Sequence, residues 1–210
     1  MTVARSRRIG EDRRHGVEVH WSSRRPDEVV DGWVTSPART FVDCCRDLPF
    51  DEALAIADSA LRHRDLSKQQ LIGLATAMRG PGRARCMRVA KAATAKAENP
   101  FESVLRAIAL DVPDLRVRPQ VLVVERPSVR PDLSDDRLRL AIEADSFEWH
   151  GNRRALMRDC RRYNLLGIHG WWVLRYSWED VMLDPGYVAA SLAEMVTAVQ
   201  QHAQRRRSTS

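Results

Sequence analysis

The segment from residue 130 to residue 151, RPDLSDDRLRLAIEADSFEWHG, constrains the fold more than any other part of the chain. Every second residue from Leu138 to Ile142 is apolar, and this period of two is typical of a β-strand. The acidic pair at positions 135 and 136 precedes the alternation and favours a turn. We therefore predict a β-hairpin over residues 129–145, whose first arm is residues 129–133.

The length of the turn decides whether the acidic residues of this hairpin share a face. Asp132 lies on the first arm, and Glu143 and Asp145 lie on the second. A turn of two or four residues puts all three on one face of the sheet, whereas a three-residue turn places Asp132 opposite Leu140 and separates the carboxylates. The sequence alone leaves both registers open.

Composition narrows the class of protein. The chain has 210 residues, of which 44% are hydrophobic and 30% charged, so it can form one large folded domain or two small ones. It contains no apolar run of about 18 residues and no apolar segment of a secretory signal at its start. We expect a cytoplasmic protein outside the membrane. The four cysteines have no paired framework, and we expect reduced thiols.

The chain is basic, with a net charge of +6 and an isoelectric point near 9.6. Such a charge is compatible with a polyanionic partner, although many basic proteins bind no nucleic acid. The positive charge is spread along the chain, with local concentrations at residues 83–96 and in the basic tail at residues 205–210. Charge alone is therefore a weak indication of function.

The N-terminal half is predicted to be helical after an irregular, basic segment over residues 1–35. Ser36 followed by proline is a helix start, and Ser67 with Gln70 forms a capping box at another. The apolar periodicity predicts four helices, at residues 38–45, 51–63, 68–78 and 83–97. We interpret residues 36–98 as a small helical domain.

The C-terminal half has a different order of elements. The pattern predicts a helix at 101–110, a strand at 115–124, the hairpin at 129–145, a helix at 153–166, a strand at 171–177 and a helix at 186–204. Branched and aromatic residues typical of sheet interiors fill the strands, and the helices can cover both faces. Residues 99–204 are therefore predicted to form an α/β domain around a mixed sheet.

This order of elements, together with the acidic hairpin, resembles the Vsr-like (very-short-patch-repair endonuclease-like) domains of unknown function in the PD-(D/E)XK nuclease superfamily. The matching residues are Pro100-Phe101-Glu102-Ser103 with Leu105-Arg106, Pro131-Asp132, Ala141-Ile142-Glu143-Ala144-Asp145, Trp149-His150-Gly151, Asp159 with Arg162, and Gly170-Trp171-Trp172-Val173-Leu174-Arg175. The resemblance covers about half the chain. It implies a restriction-endonuclease-like α/β core with a mixed sheet, preceded by the small helical domain.

The N-terminal half is similar to the linker portion of AbiEi-type antitoxin-like proteins. The similarity lies in the sequence VTSPART at 34–40 and in Val42-Asp43. Those proteins usually begin with a winged helix-turn-helix, and no such segment fits ahead of Val17, so we expect the DNA-reading module to be absent. The similarity implies a toxin as one kind of partner, and it does not indicate an oligomeric state.

The resemblance also implies a metal site in the hairpin. Metal-assisted hydrolysis of a phosphodiester needs two or three oxygen ligands around a divalent ion that keeps open positions. In the nuclease superfamily the motif aspartate binds metal and the E-x-K element adds a carboxylate and a lysine, which assigns these roles to Asp132, Glu143 and position 145. Position 145 is aspartate here, which strengthens metal binding but removes a cation near the phosphate. We expect Mg²⁺ or Mn²⁺ bound by Asp132, Glu143 and Asp145.

Four further residues have expected roles. The Vsr-like branch uses histidine in this neighbourhood, which implies that His150 is the general base. Glu102 matches an acidic residue that approaches the metal site in related enzymes. Arg158 and Arg162 could present guanidinium groups to a phosphate. Vsr enzymes carry a structural zinc site, but only Cys160 is available nearby, so we expect no zinc.

Structural roles would also account for these residues one at a time. Asp132 and Asp145 could make turn hydrogen bonds, and Glu143 could pair with Arg139 or Arg162. Taken together they favour a site, because burying Glu143 and Asp145 in an apolar strand costs several kcal/mol unless partners or a cation compensate them.

Three classes of function follow from these observations. The first is a metal-dependent DNA endonuclease or nickase. The second is a noncatalytic nucleic-acid-binding or antitoxin-like regulatory protein, and the third is a protein-interaction module built on an inactivated nuclease fold. DNA is the expected nucleic acid, with RNA as the alternative.

Overall fold

The computed structural model of the chain describes residues 2–3, 10, 16, 20–21, 26–31, 34–145 and 153–208. These residues form a mixed α/β structure that contains eight α-helices and a mixed four-stranded sheet. The helices are α1 (Pro37–Asp47), α2 (Phe50–Arg62), α3 (Lys68–Ala77), α4 (Arg83–Ala92), α5 (Pro100–Leu110), α6 (Arg153–Ile168), α7 (Trp178–Leu183) and α8 (Pro185–Ser208). The strands are β1 (Thr2–Val3), β2 (His20–Trp21), β3 (Val29–Val30), β4 (Val34–Thr35), β5 (Arg118–Pro119), β6 (Leu133–Asp135), β7 (Leu140–Asp145) and β8 (Trp172–Ser177).

The first four helices form around a core of their own. The Ser36 hydroxyl accepts a hydrogen bond from the backbone N–H of Arg39 at 3.4 Å, and Ser67 and Gln70 cap α3 reciprocally, as the sequence predicts. The largest side chains buried in this core are Phe41, Leu54, Leu71 and Val89. The apolar faces of the four helices therefore meet one another.

Helix α4 ends at Ala92, so the prediction that it continues to residue 97 is wrong. At Ala93 the backbone leaves the helical conformation, and the N–H of Thr94 donates to the buried carboxylate of Asp58 at 2.8 Å. Arg106 donates to the carbonyl of Ala92 at 2.7 Å and pairs with Asp58 at 2.5 Å. These long-range hydrogen bonds outweigh the helix propensity of the alanines that follow Ala92.

Helix α5 connects the helical half to the sheet. Leu105 packs in the core beneath the sheet, whereas Ala107 belongs to the core of the four N-terminal helices. Ser103 also donates to Asp58, at 2.8 Å, beside the Arg106 ion pair. Helix α5 therefore contributes to both cores, and these contacts fix the position of its first turn.

The sheet has the strand order β5-β6-β7-β8. Strand β6 runs antiparallel to β5 and β7, whereas β8 is parallel to β7 and follows α6 in the chain. Leu140 and Ile142 face the core formed with α5 and α8, and Ala141 packs with Leu166 of α6 and with Trp171 on the other side. The strand β7 is therefore covered on both faces, which explains its nearly continuous apolar sequence.

The register of the hairpin places Asp132, Glu143 and Asp145 on one face. Leu133 pairs with Ile142, and Asp135 pairs with Leu140, so the turn is the four residues 136–139. With this even turn, the register extended by one residue sets Asp132 opposite Glu143. Asp135, which we predicted to lie in the turn, is instead the last residue of β6.

The predicted strand at residues 115–124 is mostly wrong. Within that fully described range, only β5 pairs with a neighbouring strand, and Val124 forms an isolated bridge with Val129. Pro119 has no N–H to extend the ladder, and Gln120 turns the chain with a φ of 51°. The chain therefore leaves the sheet at Gln120.

The sequence predicted one helix after β8, and the structure has two. Ser177 and Asp180 form a capping box at the start of α7, a signal that the sequence contained and that we did not use. Helix α8 continues to Ser208, through the start of the segment predicted as a tail. None of the helices in the described ranges has the length and apolar character required to cross a membrane.

Candidate functional site

Two carboxyl groups face each other at the open end of the β6–β7 hairpin, away from the turn. Asp132 immediately precedes β6, and Glu143 lies within β7. Oδ2 of Asp132 accepts a hydrogen bond from the backbone N–H of Ala144 at 2.8 Å, and the N–H of Asp132 donates to Oε2 of Glu143 at 3.4 Å. These bonds fix Asp132 and Glu143, the carboxyl pair, next to each other.

Glu143 is a buried acid with few partners. Its exposed fraction is 2%, and Nη2 of Arg162 donates to its Oε2 at 3.0 Å. The same nitrogen lies 2.9 Å from Oε1, but without hydrogen-bond geometry, and Oε1 accepts no hydrogen bond from any described residue. Burial, followed by the charge of Asp132, raises the pKa of Glu143 to about 8 although Arg162 opposes the shift. Glu143 therefore retains a proton near neutral pH.

Asp132 is the half-buried member of the carboxyl pair. Burial raises its pKa, and the hydrogen bond from Ala144 and the charge of Arg162 offset only part of that effect. Oδ1 of Asp132 accepts a hydrogen bond from the side-chain amide of Gln120 at 3.1 Å. The amide donor therefore helps to hold the Asp132 carboxylate in a fixed orientation.

Gln120 also connects the carboxyl pair to helix α5. Its Nε2 lies 3.4 Å from Oε2 of Glu102, which it donates to as well as to Asp132. The backbone φ of 51° at Gln120 is uncommon for a residue other than glycine, and such conformations cluster at functional sites. The sequence analysis missed Gln120 because it placed the residue inside a strand. Pro119 was the signal that could have moved the end of that strand and drawn attention to the turn.

Glu102 lies in the first turn of α5 and reaches the carboxyl pair only through Gln120. Its carboxylate accepts hydrogen bonds from the backbone N–H of Glu98 and from the side chain of Asn99, both at 2.9 Å. The N–H of Glu102 donates in return to the Asn99 side chain at 2.9 Å, which caps the helix. Burial raises the pKa of Glu102. The residue therefore combines a capping role with a position behind the site.

A polar cavity of about 410 Å³ opens beside the carboxyl pair. Its walls include Gln120, Asp132 and Arg162, so it offers both carboxylate oxygens and guanidinium donors. A larger cavity of about 560 Å³ lies in the helical half, but no acidic side chain lines it. Of these two cavities, the polar cavity is the one that combines ligands for a cation with donors for an anion.

Asp145 shares a face with Glu143 but takes part in a separate ion pair. The guanidinium of Arg175, on the neighbouring strand β8, binds Asp145 and stacks over the ring of Tyr163 at 4.1 Å. Within the described ranges, no three His, Cys, Asp or Glu side chains are grouped so as to hold a metal ion. His150, the expected general base, lies outside the described residues.

The two arginines expected to contact phosphate occupy different positions on α6. Arg158 is exposed, whereas Arg162 is half-buried against the carboxyl pair and also donates to the carbonyl of Arg130 at 2.8 Å. Of the two arginines considered as partners of Glu143, Arg162 is the one observed. Arg139 instead binds the carbonyl of His169.

The fold and these side chains define a mixed α/β protein with a buried carboxyl pair beside a polar cavity. Sequence comparison relates the chain to two proteins of Mycobacterium tuberculosis, uncharacterized protein Rv2248 of strain H37Rv and uncharacterized protein MT2308 of strain CDC 1551. Each is 30% identical to the chain over 184 residues, covering 85% of this chain and 67% of the relative. The chain belongs to the family of these mycobacterial proteins. No family model matches it, and no solved structure matches it.

Proposed function

We propose that this protein is a metal-dependent DNA endonuclease or nickase of the Vsr-like, PD-(D/E)XK type. The observation that carries the proposal is the carboxyl pair at the open end of a buried hairpin, where Asp132 lines the polar cavity and Glu143 is buried beside Asp132. Burying two acids side by side without full hydrogen bonding is unfavourable, so a fold that keeps them has a use for their charge. A divalent cation is the ligand that such a pair suits best.

The arrangement of elements supports the same class of protein. Helix α5 is followed by the antiparallel strands β5, β6 and β7, then by the crossover helix α6 and by the parallel strand β8. This is the order of helix, strand, hairpin, helix and strand on which the resemblance to Vsr-like domains was based. Asp132 and Glu143 occupy the positions that the resemblance assigns to the metal ligands.

The residues of the carboxyl pair fit a hard cation such as Mg²⁺ or Mn²⁺. Asp132 and Glu143 both offer carboxylate oxygens, and Oε1 of Glu143 accepts no hydrogen bond from the described residues. When bound, the ion would supply an activated water and neutralise charge on the scissile phosphate. The remaining contributions come from the protein itself: Gln120 orients Asp132, and Arg162 provides a positive charge next to the cavity.

A nicking assay tests the proposal. Supercoiled plasmid is incubated with the protein in Mg²⁺, in Mn²⁺ and in a chelator, and relaxed circles are quantified. We expect metal-dependent nicking that Asp132→Asn and Glu143→Gln each abolish. The matched control is Asp136→Asn, because Asp136 lies in the turn of the same hairpin, exposed and paired with Arg118. Equal nicking by the wild type and both site variants would attribute the activity to a contaminant and overturn the proposal.

One observation favours the noncatalytic alternative. The ion pair of Asp145 with Arg175 engages the third acidic residue of the motif, so a metal held by Asp132 and Glu143 would have fewer protein ligands. A nuclease fold used only to bind nucleic acid, as in an antitoxin-like regulator, would show this arrangement and would bind DNA without cleaving it. The nicking assay combined with a DNA-binding measurement separates the two functions.

A further inference from the structure

We infer that Arg162 is an exchangeable partner of the carboxyl pair: its guanidinium holds Glu143 in the metal-free protein, and a divalent cation displaces it towards the polar cavity, where it binds the phosphate of the substrate. This inference rests on the proposed function. It adds to that function a source for the positive charge near the phosphate, which the motif lysine would supply and Asp145 does not. Arg162 would then take over the phosphate-binding role of the motif lysine from a different element of the fold.

The hydrogen-bond donors of Arg162 fall into two groups, one for each of its two roles. Nη2 alone makes its polar contacts in the described part of the chain, to Glu143 at 3.0 Å and to the carbonyl of Arg130 at 2.8 Å. A guanidinium carries further N–H donors on Nη1 and Nε, in a planar arrangement that matches phosphate oxygens. These donors make no hydrogen bond with any described residue, and the side chain is 34% exposed where it lines the polar cavity.

The charge of a bound cation would determine whether the Arg162 side chain lies at Glu143 or in the polar cavity. A divalent cation at the carboxyl pair would compete with the guanidinium for the oxygens of Glu143, and the two positive charges would repel each other. The contact between Arg162 and the Arg130 carbonyl does not involve a carboxylate, so it remains available after the exchange. Release therefore moves the charge a short distance into the cavity and does not require α6 to move.

Arg158 provides the matched comparison within the same helix. It lies one turn before Arg162 in α6, is exposed, and makes no ion pair or hydrogen bond with the described residues. A phosphate contact that depends only on positive surface charge would involve both arginines alike. The exchange requires Arg162 and not Arg158, because Arg162 is the one of these two arginines that binds the carboxyl pair.

Calorimetric titration of Mn²⁺ in the absence of nucleic acid tests the exchange. In Arg162→Ala the ion no longer displaces a guanidinium, so we expect it to bind about fivefold more tightly than in the wild type, whereas Arg158→Ala should match the wild type. Arg162→Gln, which keeps a donor but no charge, gives the same comparison if the alanine variant does not fold. Equal or weaker binding by both Arg162 variants overturns the exchange while leaving the metal site intact. If neither wild type nor variants bind Mn²⁺, the proposed function fails, and the exchange fails with it.

The second half of the inference is tested with a short phosphorothioate duplex, which resists cleavage, by fluorescence anisotropy. We expect Mn²⁺ to strengthen duplex binding by the wild type and Arg158→Ala, and we expect Arg162→Ala to lose that gain while Arg162→Lys keeps part of it. The salt dependence of the Mn²⁺ complex should fall by about one unit of slope in Arg162→Ala, as for the loss of one phosphate contact. An unchanged gain from Mn²⁺ in Arg162→Ala would show that the released guanidinium does not bind phosphate.

Discussion

The two ends of the β6–β7 hairpin carry buried carboxyl groups in opposite electrostatic states. At the turn end, Asp135 is 1% exposed, but its carboxylate accepts hydrogen bonds from the backbone N–H groups of Arg116, Arg137 and Leu138 and pairs with the side chain of Arg137. Burial alone would raise its pKa, and these donors outweigh burial and lower it. At the open end, burial raises the pKa of Glu143 to about 8.

The difference shows that the number of hydrogen-bond donors, together with burial, separates a structural acid from a candidate ligand. Asp135 and Glu143 are almost equally buried and lie on adjacent strands of one sheet. Asp135 completes the hydrogen bonding of the turn, so its charge stabilises the fold. Glu143 has one cationic partner and an oxygen that accepts no hydrogen bond within the described ranges, so its charge is unfavourable until a cation arrives.

The largest expected effect comes from removing the structural acid. Asp135→Ala leaves several backbone N–H groups without an acceptor, so we expect it to lower the free energy of unfolding by about 3 kcal/mol. Glu143→Gln removes a buried acid that takes up a proton on folding, so at pH 7 it should keep the stability of the wild type or raise it. Urea denaturation at pH 7 measures both. Equal losses for the two variants would remove the distinction between the ends of the hairpin.

A divalent cation should stabilise the protein by binding at the open end of the hairpin and not at its turn. At a Mn²⁺ concentration about 100-fold above the dissociation constant, the wild type should gain about 2.7 kcal/mol of stability. Asp132→Asn should abolish that gain, and it should raise the melting temperature of the metal-free protein because it removes a carboxylate that burial destabilises. Asp136→Asn, in the turn, should keep the full gain. Thermal unfolding with and without Mn²⁺ provides the measurement, and a gain retained in Asp132→Asn would place the ion elsewhere.

The two ends should also respond to pH with opposite signs. The pKa of Glu143 is raised in the folded protein, so its contribution to stability is fully present below its ordinary pKa near 4.5 and is lost as the pH rises towards about 8. The pKa of Asp135 is lowered, so its contribution is present above its ordinary pKa and is lost as the pH falls through the lowered value. Denaturation between pH 5 and pH 8 should therefore show a decline with pH in the wild type that is smaller in Glu143→Gln. An identical decline in that variant would contradict the raised pKa.

The sequence predicted the elements that depend on local pattern, in this hairpin and in the helical half. The alternation around Leu140 located β7, and the capping box at Ser67 located the start of α3, because both signals lie within a few residues of the elements that they define. The register remained open because a turn of four residues and one of three fit the same acidic sequence. The cap formed by Asp135 depends on the N–H of Arg116, which is distant in the chain.

The sequence predicted the acidic residues of the candidate site but not every residue that contacts them. Glu143 stood out because a carboxylate is unusual in an apolar strand, whereas Asp132 was identified through the resemblance to Vsr-like domains. Arg162 was identified as a phosphate contact and as one of two possible partners of Glu143, and the choice between Arg162 and Arg139 depends on how α6 crosses the sheet, which no local pattern encodes. Asp145 was expected with the carboxyl pair, but it forms a diagonal ion pair with Arg175, which the parallel register of β7 and β8 sets opposite Glu143. Long-range packing therefore decides which carboxylate oxygens remain without a hydrogen-bond donor.

The smallest expected effect concerns Gln120, which separates backbone strain from the orientation of the carboxyl pair. Gln120→Ala removes the amide that donates to Asp132 but keeps a β-carbon at a φ of 51°, whereas Gln120→Gly removes the amide and relieves the strain. The glycine variant should therefore be more stable than the alanine variant by about 1 kcal/mol.

Both Gln120 variants should bind Mn²⁺ more weakly than the wild type and to the same extent, because each leaves the carboxylate of Asp132 without its amide donor. Comparing their stabilities by urea denaturation and their Mn²⁺ affinities by calorimetry tests the two effects independently. If the affinities followed the difference in stability, Gln120 would act on the site through the backbone of the turn. Equal affinities with unequal stabilities would instead identify its side chain as the group that orients Asp132 at the open end of the hairpin.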